Sequence, residues 1–296
     1  MPSPLPAMSL LQVHRLVKRF GALTATDEAS FDVRIGETHA LIGPNGAGKT
    51  TLIHQISGAL APDCGGIFFD GEDVTAMSIP HRVREGLVRS FQITSIYRRF
   101  TVLDNVVLAV LARRPSAPPW WRAARRDEAA YADAEAMLTL VGLAPLADRV
   151  AGSLAHGEQR QLELALALAA RPRLLLLDEP MAGMGPDESA RMVDLLSALK
   201  AQHLTLLLVE HDMDAVFRLA DRVSVLVSGR VIATGSPDEI RNDAAVKRAY
   251  LGDEADNDSD SDNDNDNDND NDNDNDNDND NDNDNGDTKP RAEAAG

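Results

Sequence analysis

Apolar and polar positions change rhythm several times along this chain, and each change marks a different element. Residues 11–17 (LQVHRLV) and 29–33 (ASFDV) alternate loosely, which predicts two strands of an antiparallel region. Thr38–Ile42 is a short apolar run leading straight into glycines, as a buried strand ahead of a loop would be. Residues 50–56 then predict a helix that stops near Gly58, and 65–71 (GGIFFDG) a short strand bracketed by turns. A further strand is expected at 88–91. Beyond it the pattern turns helical: Thr101 is a candidate N-cap with Asp104 three residues on, followed by Val106, Val107 and Val110.

Residues 113–126 (RRPSAPPWWRAARR) form a basic, proline-rich break, and helices are expected at 127–141 and 158–170. From Leu174 onward strands and helices alternate: 174–177, 187–201, Thr205–Val209, 213–220 and 223–227. That alternation predicts a parallel sheet with crossover helices. The fold class is therefore α/β, with an antiparallel β region and a helical subdomain inserted at about 92–161.

Composition changes this picture at the C-terminus. Residues 256–285 are almost pure alternating Asp and Asn, with two Ser and no apolar side chain. Such a stretch buries too little to offset its ordering entropy, so 254–296 is expected to be a disordered acidic tail following a folded domain of 1–253. Carboxylate and amide oxygens are hard-cation ligands, but this tail lacks glycines to fold them into a cage, and it reads as inert. Of 48 acidic and 29 basic residues, 19 and 2 lie in 253–296, leaving 29 acids and 27 bases elsewhere. The formal charge of −19 thus describes the tail, and the folded part is near neutral. One cysteine, Cys64, excludes an internal disulfide framework and suits a reducing compartment. No apolar run reaches the roughly 18 residues of a membrane helix. The N-terminus does not read as a signal peptide. A cytoplasmic location is expected, with any membrane association made through other proteins.

The chemistry sits at the junctions. Residues 43–50 (GPNGAGKT) match G-x-x-x-x-G-K-[ST] between a predicted strand and a predicted helix. Gly43, Pro44, Asn45, Gly46, Ala47 and Gly48 would turn backbone N–H groups around phosphates at a helix N-terminus. Lys49 would add a point charge, Thr50 a Mg²⁺-ligating hydroxyl, and Thr51 a contact to the inner phosphate. Asp178 and Glu179 end the four-leucine run. Asp178 is the expected Mg²⁺ partner through water, and Glu179 the general base that polarises attacking water. Gln92, placed where sheet gives way to helix, is a candidate γ-phosphate sensor, hinge and Mg²⁺ contact, although surface glutamines are common. His211 follows a strand and invites a similar role. A lone histidine at a strand end is usually just hydrogen-bonded, and Glu210 and Asp212 beside it also suit a charged surface.

Residues 154–159 (Leu154, Ala155, His156, Gly157, Glu158, Gln159) decide between phosphate-loop classes. GTPase switches and small-molecule kinases have no use for a second anion-binding helix start 108 residues after Lys49. It makes sense facing the nucleotide of another subunit. This set of motifs, over about residues 9–252, resembles the ATP-binding cassette ATPases. The resemblance implies a head-to-tail dimer with two ATPs, each held by one subunit's phosphate loop and the other's signature helix. It also implies that Phe20 stacks on adenine and that His211 contacts the γ-phosphate.

Within that family, residues 18–25 (KRFGALTA), 154–165 (LAHGEQRQLELA), 210–216 (EHDMDAV) and 235–253 (GSPDEIRNDAAVKRAYLGD) look like the ATPase of branched-chain amino-acid importers. Urea and short-amide importers and the lipopolysaccharide-export ATPase are similar too. The implied partners are a second ATPase subunit, membrane permeases docking near residues 93–100 (Tyr97, Arg98, Arg99 and Phe100 being the anchors), and indirectly a substrate-binding protein. A soluble ATPase acting on nucleic acid or ribosomes is the other reading. It would call for a basic footprint that only 113–126 offers, so no nucleic-acid partner is expected. Two positions depart from the family pattern: Ala155 stands where a serine is usual, and Gly185 where an Asp or Asn is.

Overall fold

The computed structural model describes residues 9–90, 96–113 and 127–249. The chain opens with two long strands, β1 (Ser9–Phe20) and β2 (Leu23–Arg34), paired antiparallel. Both extend well past the alternating stretches that predict them. Register shifts along the pair, with positive φ at Arg15 and Glu28, break the two-residue rhythm that a regular strand would show. On the other side of β1 lie β4 (Cys64–Phe69) and the two-residue β5 (Glu72–Asp73), completing a four-stranded antiparallel sheet.

A second sheet has six strands in the order β10-β9-β3-β8-β7-β6. These are β3 (Thr38–Ile42), β6 (Leu87–Arg89), β7 (Leu174–Asp178), β8 (Thr205–Val209), β9 (Arg222–Val227) and β10 (Arg230–Gly235). All adjacent pairs are parallel except β9 and β10, a hairpin at the edge. A parallel sheet covered on both faces needs continuous apolar strands, and β3, β7 and β8 are buried at every position. On β7, Leu174 and Leu176 join one core while Leu175 and Leu177 join another; Leu207 and Val209 of β8 divide from Leu206 and Leu208 in the same way.

The first of those cores lies between the two sheets around α1 (Lys49–Ser57), with Leu52, Ile53 and Ile56 against Leu11, Val13, Phe31 and Ile67. Gly58 ends α1 in the left-handed conformation, where the sequence expects a stop. Helices α3 (Val102–Ala112), α4 (Glu128–Leu140) and α5 (His156–Ala169) contribute to the second core. Val106, Val110, Ala134, Leu138 and Leu162 meet there and continue into Leu175 and Leu177. The Thr101 hydroxyl caps α3 by accepting from the Asp104 N–H at 3.0 Å. Strands β6 and β7 are neighbours (Leu87 pairs with Leu174), so the chain leaves the sheet and returns to it through this helical layer.

Helices α6 (Pro186–Ala201) and α7 (Met213–Leu219) flank β8, and α8 (Pro237–Asn242) follows β10. Helix α2 (Ile79–Glu85), like β10 and α8, is an element that the sequence reading does not anticipate. Residues 114–126 of the proline-rich break, Gln92 and the acidic tail lie outside the described residues. Among the described residues no helix is long and apolar enough to cross a membrane.

Candidate active site

The loop after β3 is shaped by what glycine lacks. A Cβ on Gly43 would overlap the carbonyl oxygen of Leu226, and one on Gly48 that of Ala25, so the loop lies tight against β9 and β2. Gly48 is the N-cap of α1 at φ 101°, a conformation that costs other residues dearly. Lys49 begins the helix almost wholly buried, and its Nζ donates to the carbonyls of Gly43 (2.6 Å) and Pro44 (2.8 Å). Burial pushes this ammonium below its usual pKa, and the carboxylates of Glu179 and Asp178 pull the other way.

Beside it runs a cleft of about 460 Å³ lined by Phe20, Thr24, Asn45, Gly46, Ala47, Gly48, Lys49, Thr50, Thr51, Glu179, His211 and Ser228. Most of the sequence-predicted phosphate-loop residues therefore meet Phe20, Glu179 and His211 at one place. Phe20 is half exposed, with the Lys18 ammonium 5.8 Å from its ring centre.

Parallel pairing of β7 and β8 brings the ends of both strands together. Glu179 leaves β7 at φ 49°, its N–H bonded to the Val209 carbonyl. His211 leaves β8 and places Nε2 at 2.8 Å from Glu179 Oε1. An ionised carboxylate only accepts, so Nε2 carries the proton of that bond. Glu210, between them in the chain, corrects the sequence expectation of a charged surface at this point. It is only 5% exposed. Its Oε1 accepts from the Met181 N–H and its Oε2 from the His211 N–H, both at 3.0 Å. Burial pushes this carboxyl above its usual pKa, against the pull of those N–H groups. Asp212 is the N-cap of α7, accepting from the N–H groups of Asp214 and Ala215.

Asp178, at the end of β7, is buried, and Arg89 Nη2 donates to its Oδ2 at 2.7 Å. Oδ1 is buried and has no hydrogen-bond partner among the described residues. A buried carboxylate oxygen left unpaired is costly, which marks this atom as one that another group completes. The Asp178 carboxylate and the Thr50 hydroxyl, which lines the cleft with Glu179, are oxygen donors of the hard type that magnesium takes. Among the described residues no cluster of three or more His, Cys, Asp or Glu side chains could hold a metal ion by itself.

Residues 154–159 do not line this cleft. They form the entry to α5, with Ala155 as N-cap, its N–H donating to Glu158 Oε2 at 2.8 Å. Gln159 Nε2 reaches back to the Leu154 carbonyl at 2.8 Å. A methyl side chain cannot accept from the N–H of Glu158, so this helix start keeps a free backbone donor on an exposed turn. On its other side Gly157 meets Glu188 of α6 so closely that a Cβ would collide with it. Gly185 is the N-cap of α6, ahead of Pro186. Tyr97 and Phe100 stand 61% and 45% exposed with rings stacked 5.5 Å apart, held by the Asn105 side chain, which bonds both the N–H and the carbonyl of Tyr97. A largely apolar groove of about 300 Å³ runs beside them between α3 and α5.

Two family models match this chain: ABC transporter over residues 26–182, and branched-chain amino acid ATP-binding cassette transporter over residues 230–256. It is 38% identical over 252 residues to the high-affinity branched-chain amino acid transport ATP-binding protein LivG of Salmonella typhimurium, covering 82% of this chain and 98% of that one. To the lipopolysaccharide export system ATP-binding protein LptB of Haemophilus influenzae it is 34% identical over 247 residues, covering 83% and 99%. Among solved structures it resembles an ATP-binding cassette of an ABC transporter in its ADP conformation (TM-score 0.74, 31% identity, 83% and 99% covered).

Proposed function

Since the chain belongs to the ABC transporter family of ATP-binding cassettes, we propose that it hydrolyses ATP to power the import of branched-chain amino acids through partner permeases. One observation carries the choice of substrate class: residues 230–256, which include β10 and α8, match the family model specific to branched-chain amino acid transporters.

In this reading ATP lies in the cleft of Phe20, Lys49 and Glu179, with its adenine on the exposed face of Phe20. The loop from Gly43 to Gly48 surrounds the phosphates, and Thr51 meets the inner one. Lys49 exchanges the carbonyls of Gly43 and Pro44 for phosphate oxygens, whose charge restores an ammonium weakened by burial. Glu179 takes a proton from the attacking water, a contribution typically of about 10²–10⁴ in rate. His211 orients that carboxylate through its Nε2–H and contacts the γ-phosphate. The Thr50 hydroxyl and the Asp178 carboxylate would hold Mg²⁺, which when bound offsets charge on the phosphate oxygens. The unpartnered Asp178 Oδ1 supports that assignment. Gln92 would sense the γ-phosphate and contact the cation.

The free helix start at Ala155–Gln159 would receive the nucleotide of a second ATPase subunit, like or unlike this one. Permeases would dock on the stacked Tyr97 and Phe100, with Arg98 and Arg99 beside them, and so hold the chain at the inner face of the membrane. A substrate-binding protein on the far side would then deliver the amino acid. Gentle extraction from membranes with this chain tagged tests the proposal. Recovery of two hydrophobic permeases and a second ATPase is expected; a soluble homodimer without membrane proteins would overturn it.

A further inference from the structure

Arg89 has no part in the mechanism above, yet among the described residues it forms the ion pair that Asp178 makes within hydrogen-bonding distance. It is the last residue of β6, and its side chain reaches along the neighbouring parallel strand β7 to Asp178 at that strand's end. Its backbone is fixed by pairing with Leu176, and the Ser90 N–H donates to the Leu176 carbonyl at 2.9 Å. The side chains of Arg89 and Asp178 are only 13% and 1% exposed, so water does little to screen their 2.7 Å bond. The bond fixes Oδ2. Oδ1, on the same carboxylate, is left buried with no partner among the described residues.

We propose that Arg89 is a positioning residue for the divalent-cation site, anchoring Asp178 by Oδ2 so that Oδ1 alone is presented to the coordination shell. The inference rests on the reading of Thr50 and Asp178 as the residues that hold that cation. A buried carboxylate free to rotate about its terminal torsion offers its two oxygens in many directions, and one strong bond to a fixed strand removes that freedom. Partners that orient a metal ligand in this way commonly govern affinity by about 10–100-fold. A competing role predicts the reverse: an arginine that merely occupied the carboxylate would hinder the cation, and removing it would tighten binding.

The test is a Mn²⁺ titration of the full chain saturated with β,γ-imido-ATP, read by electron paramagnetic resonance against the binary Mn²⁺–nucleotide signal. Arg89→Met is expected to weaken Mn²⁺ binding about tenfold. Binding of a fluorescent nucleotide in EDTA should stay unchanged, and Arg89→Lys, which keeps the charge and one donor, should recover part of the loss. Unchanged or tighter Mn²⁺ binding in Arg89→Met overturns the proposal while leaving the cation site intact. If wild-type protein itself binds no Mn²⁺ beyond the binary complex, the cation-site reading falls and this inference falls with it. Should Arg89→Met fail to fold by circular dichroism, Arg89→Lys decides alone: weaker Mn²⁺ binding than wild type supports the positioning role, and equal or tighter binding overturns it.

Discussion

Glu179 and His211, 32 residues apart in sequence, meet through a 2.8 Å bond from His211 Nε2 to Glu179 Oε1. Neither strand alone creates this pair. It exists because β7 and β8 run parallel in one register, and the loops that leave them are tied together by Glu210.

That pair gives the first expected outcome. Glu179→Gln keeps the side chain's shape and removes its basicity, so ATP turnover should fall about 10²–10⁴-fold while nucleotide binding persists. His211→Ala should also lower turnover with little effect on binding. Phosphate release and equilibrium nucleotide binding, measured side by side, check both.

Glu210 is expected to matter for folding as much as for the site. Glu210→Ala leaves the buried N–H of Met181 and the part-buried N–H of His211 without their acceptor. The loss of stability should be about 1–3 kcal/mol, seen as a lower urea midpoint with an unchanged slope.

The start of α5 is under-capped. Ala155 already has N-cap geometry, and Glu158 already bonds its N–H, so a serine would supply the missing half of a capping box. Ala155→Ser should stabilise the protein by about 1 kcal/mol, measured by chemical denaturation.

Acid should weaken the junction of the two sheets. Asp32 is pushed up by burial, but hydrogen bonds from Arg222 and Ser9 and the Arg222 charge more than offset this and hold it below its usual pKa. Its folded form therefore binds a proton less readily than the unfolded chain. The stability it contributes is complete above the unfolded value, about 3.9, and is lost as pH falls through the lower folded value. Arg222 also bonds Glu37, so Arg222→Met should cost about 3 kcal/mol near neutral pH and flatten the acid limb. Urea midpoints from pH 7 downward would show both effects.

Much of this architecture is legible along the chain because the core strands are apolar without interruption: β3, β7 and β8 sit where their runs predict. The missed elements have physical reasons. β10 is an edge strand whose residues alternate between exposed and half-buried, with no deep apolar position to announce it. α8 is short, although Ser236 and Glu239 form a capping box that could have flagged it. α2 is anchored by Arg82, a buried cation that donates to the carbonyls of Thr75, Met77, Gln55 and Ile56; no apolar pattern encodes that. In the site, the phosphate loop and the Asp178–Glu179 pair are readable from motif and spacing. Arg89 and Glu210 are not, because their roles depend on which strands become neighbours.

In the proposed function, ATP turnover at Glu179 drives uptake. Radiolabelled leucine uptake, in cells whose sole copy of this chain carries Glu179→Gln, tests it most directly. High-affinity uptake is expected to be lost while the variant accumulates to wild-type levels. Uptake at the wild-type rate in those cells would contradict it.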